Sequence, residues 1–227
     1  MPTQYLIIIL ASSLLCYSII PTLRSKLAYR LDKRISSEKK LFLTFDDGPN
    51  PRYTYEILDL LKKYNINASF FMVASFAKAN PAIVRRIQED GHAIGLHSLE
   101  HKNALWKTPF YTKTDFDKSM QIMDKLGVQI RFFRPPWGHF NLAMNRQIKK
   151  YRLQTVLWDT MAEDWRGKTT SQEITNKLLK RTQNGSIICL HDGRGKNEAP
   201  GRTVAALKQV LPDWVSKGYR FLTVEDL

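Results

Sequence analysis

Two adjacent carboxylates, Asp46 and Asp47, follow a short run of apolar and small residues at 41–45 and precede Gly48-Pro49. That run reads as a buried strand, and Gly-Pro as a sharp turn. Two acids at the mouth of a buried strand repel one another unless positive charge sits beside or between them, and a metal ion and an arginine would serve. His97 and His101 stand in an H-x3-H spacing. On one helical turn both imidazoles would point the same way. With Asp47 they form a two-histidine, one-carboxylate set that leaves positions for water and substrate, the pattern of a catalytic rather than a structural metal site.

These residues need a scaffold that brings them together, and the chain's periodicity supplies one. Apolar runs at 41–45, 68–73, 93–96, 130–133, 153–158, 186–190 and 220–223 read as strands. Helical spacing at 53–64, 81–90, 114–126, 142–150, 171–181 and 203–217 alternates with them. Seven strands alternating with helices predict a parallel α/β architecture. Polar residues with chemical potential stand just after the strand ends: Asp46 and Asp47, His97, Arg134, Asp159 and His191. In a barrel of parallel strands all these ends open on one face, where such folds place their sites.

The length and the 43% hydrophobic content suit one domain with a substantial core. Ahead of it, residues 5–20 carry no charge. With Leu23 as the far limit the run is about 28 Å long as a helix, enough to cross a bilayer core. Residues 1–23 are therefore expected to be a single-pass anchor or uncleaved signal, with Pro21 ending the helix. Residues 24–40 are expected to be a basic juxtamembrane linker against anionic headgroups. Net charge is +14, with Arg24, Lys26, Arg30, Lys33, Arg34, Lys39 and Lys40 crowded after the apolar run. Such charge suits solubility or a membrane surface, and no nucleic-acid-binding motif accompanies it. Cys16 and Cys189 make no disulfide framework.

TFDDGP (44–49), HSLEH (97–101), RPPWG (134–138), EDW (163–165) and CLHD (189–192), in this order, resemble the five motifs of the NodB-homology polysaccharide deacetylases, carbohydrate esterase family 4. The resemblance covers residues 41–227. It implies a distorted, incomplete (β/α) barrel, a divalent metal, usually zinc, and removal of N-acetyl groups from N-acetylglucosamine-type sugars. Asp47, His97 and His101 would hold the ion, Asp46 would be the general base, and Arg134 would keep it ionised. His191 would protonate the leaving amine, with Asp164 supporting its imidazolium form. Trp137, Pro136, Trp165 and Leu190 would contact substrate, Leu190 as part of an acetyl pocket. The chain departs from the family at Met161, where a further carboxylate is usual, and in an aromatic segment at 102–112 containing Trp106, Pro109, Phe110 and Tyr111. That segment reads as a loop that selects substrate, dips towards lipid or packs on the surface.

The expectation is a membrane-anchored, metal-dependent N-deacetylase of a cell-wall or chitooligosaccharide-like glycan. Its rivals are a deacetylase of a lipid-linked sugar or glycolipid, an O-acetyl esterase on the same fold, and a non-enzymatic glycan- or polyanion-binding module. The expected partners are an N-acetylated glycan or glycolipid and the membrane. Basic residues after the helix place the domain on the cytoplasmic side, whereas action on exported glycans places it outside.

Overall fold

The structure is a computed structural model that describes residues 2–32 and 37–227. Among the described residues eight strands form one sheet: β1 (Lys40–Asp46), β2 (Ser69–Met72), β3 (Ala93–Leu96), β4 (Phe132–Phe133), β5 (Gln154–Thr155), β6 (Thr160–Met161), β7 (Ile187–His191) and β8 (Arg220–Leu222). The order along the sheet is β5-β4-β3-β2-β1-β7-β6, and β8 pairs with the start of β1. Every pairing is parallel. The sheet curls into an incomplete barrel whose path ends at β5 and β6. The run at 153–158, expected as one strand, is paired only at Gln154–Thr155, and the chain then crosses to β6 beside β7.

Strand alternation divides the interior into two layers. Leu41, Leu43 and Phe45 of β1 join the larger cluster under the helices, with Leu58, Leu61, Leu207 and Trp214. Phe42 faces the other way, into a smaller cluster with Phe71, Phe132, Val156 and Ile187. Thr44 and Asp46 share that second face by the same period. Helix Tyr53–Lys63 packs on helix Ala199–Ser216 and buries Ile57, Leu58, Leu60 and Leu61. Helix Pro109–Lys125 starts earlier than its apolar periodicity suggests. Thr108 caps it through a bond from the Tyr111 N–H, and Pro109 takes the first helical position. Pro109, Phe110 and Tyr111 thus lie on a first helical turn rather than in a loop.

Pro21 does not end the N-terminal helix. The segments Pro2–Leu14 and Ile20–Asp32 are joined by a wide π-type turn, Leu15–Ile19, in which the Ile20 N–H reaches the Leu15 carbonyl. The widened turn takes up the hydrogen bond and space that a proline ring disturbs. Residues 24–32 are therefore helical, not linker, and the expected linker's residues 33–36 lie outside the described residues. The helix is fastened to the domain. Ser18 Oγ donates to the Leu105 carbonyl at 3.1 Å. Thr22 Oγ1 donates to the Phe140 carbonyl at 3.0 Å and accepts the Phe140 N–H at 2.8 Å.

Candidate active site

The carboxyl ends of the strands surround a cleft of about 1100 Å³. On its floor Asp47, His97 and His101 present ligand atoms within 4.8 Å of one another. Asp47 Oδ1 lies 2.9 Å from His101 Nε2 and 3.3 Å from His97 Nε2. The histidines do not share a helical turn. Ser98 and His101 take left-handed backbone conformations (φ 72° and 54°) that no α-helix accepts, and the Ser98 hydroxyl accepts the His101 N–H at 3.0 Å. A tight polar loop, not helical periodicity, brings the rings together, 5.1 Å between centroids.

The donor set fits a cation. His97 Nδ1 lies 2.7 Å from the Arg134 carbonyl, which can only accept, so that nitrogen carries the proton and a neutral ring turns a lone pair at Asp47. Burial lowers the His101 pKa, which favours a neutral, lone-pair-bearing ring there too. The buried Asp47 Oδ1 faces these two ring nitrogens and has no hydrogen-bond partner among the described residues. Three electron-pair donors aimed at one point, without protons of their own, call for a cation there.

Asp46 faces the barrel interior. Its Oδ1 accepts Arg134 Nη1 at 2.6 Å, and its Oδ2 accepts the Cys189 thiol at 3.4 Å. Burial, reinforced by Asp46, raises the Cys189 pKa well above its ordinary value and keeps the thiol a donor. Arg134 is fully buried. Its Nε donates to the Val156 carbonyl at 3.0 Å, Nη2 to the Leu157 carbonyl at 3.1 Å, and Nη1 also to Thr44 Oγ1 at 2.7 Å. It therefore ties β4 to the segment beyond β5 while neutralising Asp46.

His191 is directly paired with Asp46 in the β1–β7 register. Its Nδ1 lies 2.9 Å from Asp164 Oδ1, and its backbone N–H donates to Asp164 Oδ2 at 2.8 Å. Thr203 Oγ1 donates to the same Oδ2 at 2.8 Å, so the buried Asp164 is held from three sides. Burial pulls the His191 pKa down, but the charge and hydrogen bond of Asp164, helped by Asp47 and Asp46, raise it to about 9. The ring is an imidazolium at neutral pH. Base-type and acid-type groups thus stand on neighbouring strands, and the ligand atoms of Asp46, Cys189 and His191 lie within 4.8 Å of one another.

Trp137 and Trp165 line the cleft. Trp137 holds a left-handed backbone (φ 57°), costly for a bulky side chain, with its ring 4.3 Å from that of His101 and 49% exposed. Pro136 is buried beside it and does not line the cleft. Leu190 does not either. It alternates with Cys189 and His191 and faces the helix layer with Phe45, so the strand period assigns the cleft wall to Cys189. Asp159, displaced from the family's extra carboxylate position, accepts the Ile187 N–H at 2.9 Å, while Met161 lines the cleft.

The sequence did not single out Thr44, Cys189, Thr203 or Asp192. Only the register around Asp46 and Asp164 reveals the first three. Asp192 is buried behind Gly48, bonded by the Thr54 hydroxyl, and burial pushes its carboxyl up to about 7. Its signal was its place in CLHD (189–192), beside His191.

Comparison with known proteins follows the same lines. Residues 33–156 match the family model for polysaccharide deacetylases. A peptidoglycan-N-acetylglucosamine deacetylase of Bacillus cereus is 37% identical over 194 residues, covering 85% of this chain and 89% of that one. A chitooligosaccharide deacetylase of Azorhizobium caulinodans is 30% identical over 193 residues, covering 81% and 91%. Among solved structures, a peptidoglycan N-acetylglucosamine deacetylase in complex with an N-hydroxybenzamide compound superposes with a TM-score of 0.77. It shows 31% identity and covers 84% of this chain and 88% of that one.

Proposed function

This chain belongs to the polysaccharide deacetylase family, a hydrolase of linear carbon–nitrogen amide bonds, and from that membership we propose that it removes acetyl groups from an N-acetylglucosamine-type glycan. Asp47, His97 and His101 would hold one divalent ion, zinc by the chemistry of two nitrogens and a carboxylate. When bound, the ion supplies Lewis-acid polarisation of the acetyl carbonyl.

The remaining steps belong to the chain's own residues. Asp46, paired with Arg134, accepts a proton from the water that attacks the carbonyl carbon. The C–N bond then breaks, and the His191 imidazolium gives its proton to the departing amine nitrogen. Asp164 holds the ring's tautomer and charge through Nδ1. Trp137 offers a flat apolar wall to the sugar. Arg166, Lys168, Lys177, Arg194 and Lys196 against Glu163 and Glu173 give the wall a positive balance that suits a glycan bearing carboxylates, such as peptidoglycan with its acidic peptides.

The observation that carries this reading is the pair on adjacent strands, an Arg134-paired carboxylate at Asp46 and an imidazolium at His191, in the same cleft as the Asp47, His97 and His101 donor set. Residues 41–227 form the catalytic domain in this reading, and the N-terminal apolar helix anchors it to a membrane. The test is acetate release by the full chain, with added divalent metal, from peptidoglycan and from N-acetylchitooligosaccharides. No release from either, with metal bound, would refute it.

A further inference from the structure

Beyond the deacetylation site, we infer that the catalytic domain is seated directly on the phospholipid bilayer through Trp106 and Phe110, beside the apolar helix. The inference rests on the reading of that helix as an anchor.

The first observation is the latch. Ser18 is fully buried against the Leu105 carbonyl, and Thr22 exchanges two hydrogen bonds with Phe140. The domain therefore touches the helix at the level of Ser18, rather than hanging from its end. Helix Pro2–Leu14 and its continuation to Ser18 amount to about 25 Å at 1.5 Å per residue. A bilayer's hydrocarbon core is about 30 Å thick. The lipid-facing side stays apolar and exposed through Leu15, Ile19 and Leu23, and Arg24 is the first cation. The hydrocarbon boundary thus falls between Ser18 and Arg24, the stretch where the domain is fastened.

The second observation is what the domain presents there. Trp106, next to Leu105, is 74% exposed, and Phe110 on the following first turn is 80% exposed. Large aromatic side chains left in water beside a bilayer boundary fit the interfacial belt. Arg24, exposed just past that boundary, continues the helix into the headgroup layer and matches anionic lipid, while Lys26 and Arg30 line a pocket against the domain. The occupant is therefore a lipid surface. Its consequence for the enzyme is reach: Trp106 lies five residues from His101, at most about 18 Å of extended chain. The cleft then works on saccharide within a few sugar units of the membrane.

The test reads fluorescence, not turnover, so it fails or succeeds independently of the deacetylase reading. The full chain is reconstituted into phosphatidylcholine–phosphatidylglycerol vesicles, with and without bromine at shallow acyl positions. Trp106 emission is taken as wild type minus Trp106→Phe, a variant that keeps the exposed position aromatic. The expected result is a loss of at least half of that difference signal in brominated vesicles, with vesicle flotation equal for both proteins. Flotation with unquenched Trp106 would overturn the seating while leaving the anchor intact. Failure to float would overturn anchor and seating together. Unquenched emission that shifts on adding N-acetylchitooligosaccharide would make Trp106 a sugar platform instead, and overturn it too.

Discussion

Asp164→Asn tests the acid half of the proposed chemistry. The amide oxygen can still accept the His191 Nδ1 proton, while the amide nitrogen replaces the oxygen that accepts the His191 N–H, so one backbone hydrogen bond is lost along with the charge. That charge is first among the influences raising the His191 pKa to about 9. Burial then has the stronger hand and returns the ring to its ordinary value of about 6.5 or lower. At pH 8 the protonated fraction falls from about nine-tenths to about 3%, a loss of about 30-fold in the acid form. The sign follows from the role: a proton donor works protonated, so activity is lost as pH rises through its pKa. In the wild type the alkaline limb of kcat/KM on an N-acetylchitooligosaccharide should lie at or below about 9, since a cation at Asp47 cancels part of that residue's contribution. In Asp164→Asn it should move down by about two units or more. An activated aryl acetate, whose leaving group needs no proton, should show little shift. A limb that stays put, or equal losses on amide and ester, would refute the assignment of His191 as acid.

The remaining predictions concern the ion, the base and the frame. His101→Ala should lose the divalent ion along with activity, and elemental analysis showing one equivalent of metal in the purified variant would refute the ligand set. Asp46→Asn should retain metal yet lose about 100-fold or more in kcat, since general-base assistance is worth that much; single-turnover acetate release measures it. Arg134→Met leaves the buried Asp46 carboxylate unpaired and three further acceptors unfilled, a change that costs about 3–5 kcal/mol. Urea unfolding at neutral pH should show it, and an unchanged midpoint would mean that the Arg134 pair does not hold the frame.

Much of the barrel was readable because its strands are short, apolar and bounded by turn residues, and because polar groups recur at their carboxyl ends. The readings failed where local periodicity was not the deciding force. Proline at position 21 argued for a helix end, but a π-type turn accommodates it, and bonds from Ser18 and Thr22 to distant backbone keep the following residues helical. The helix at Pro109 began before its apolar spacing because a Thr-Pro cap starts it. Leu190 was placed by motif in the cleft, whereas the strand's period of two turns it into the helix layer. Partners such as Thr44 and Thr203 are ordinary residues in sequence and acquire meaning only from the side chains that long-range pairing sets beside them.

The neighbouring carboxylates show most clearly where sequence reasoning stops. Asp46 and Asp47 are chemically identical and adjacent, and nothing in their types separates a base from a ligand. The backbone separates them. Asp46 ends β1 in extended conformation and points inward to Arg134, while Asp47 turns left-handed (φ 74°) and swings its carboxylate towards the two imidazoles. That turn is possible because residue 193 has no side chain: a Cβ there would stand 1.8 Å from the Asp47 carbonyl oxygen. A substitution at Gly193 would therefore shift Asp47 and the ion site without touching any ligand. Gly193→Ala should lower metal affinity while leaving the His191–Asp164 pair intact, measurable as a raised metal dissociation constant beside an unchanged alkaline limb at saturating metal. An unaltered affinity in the folded variant would mean that the left-handed turn at Asp47 does not set the ligand geometry.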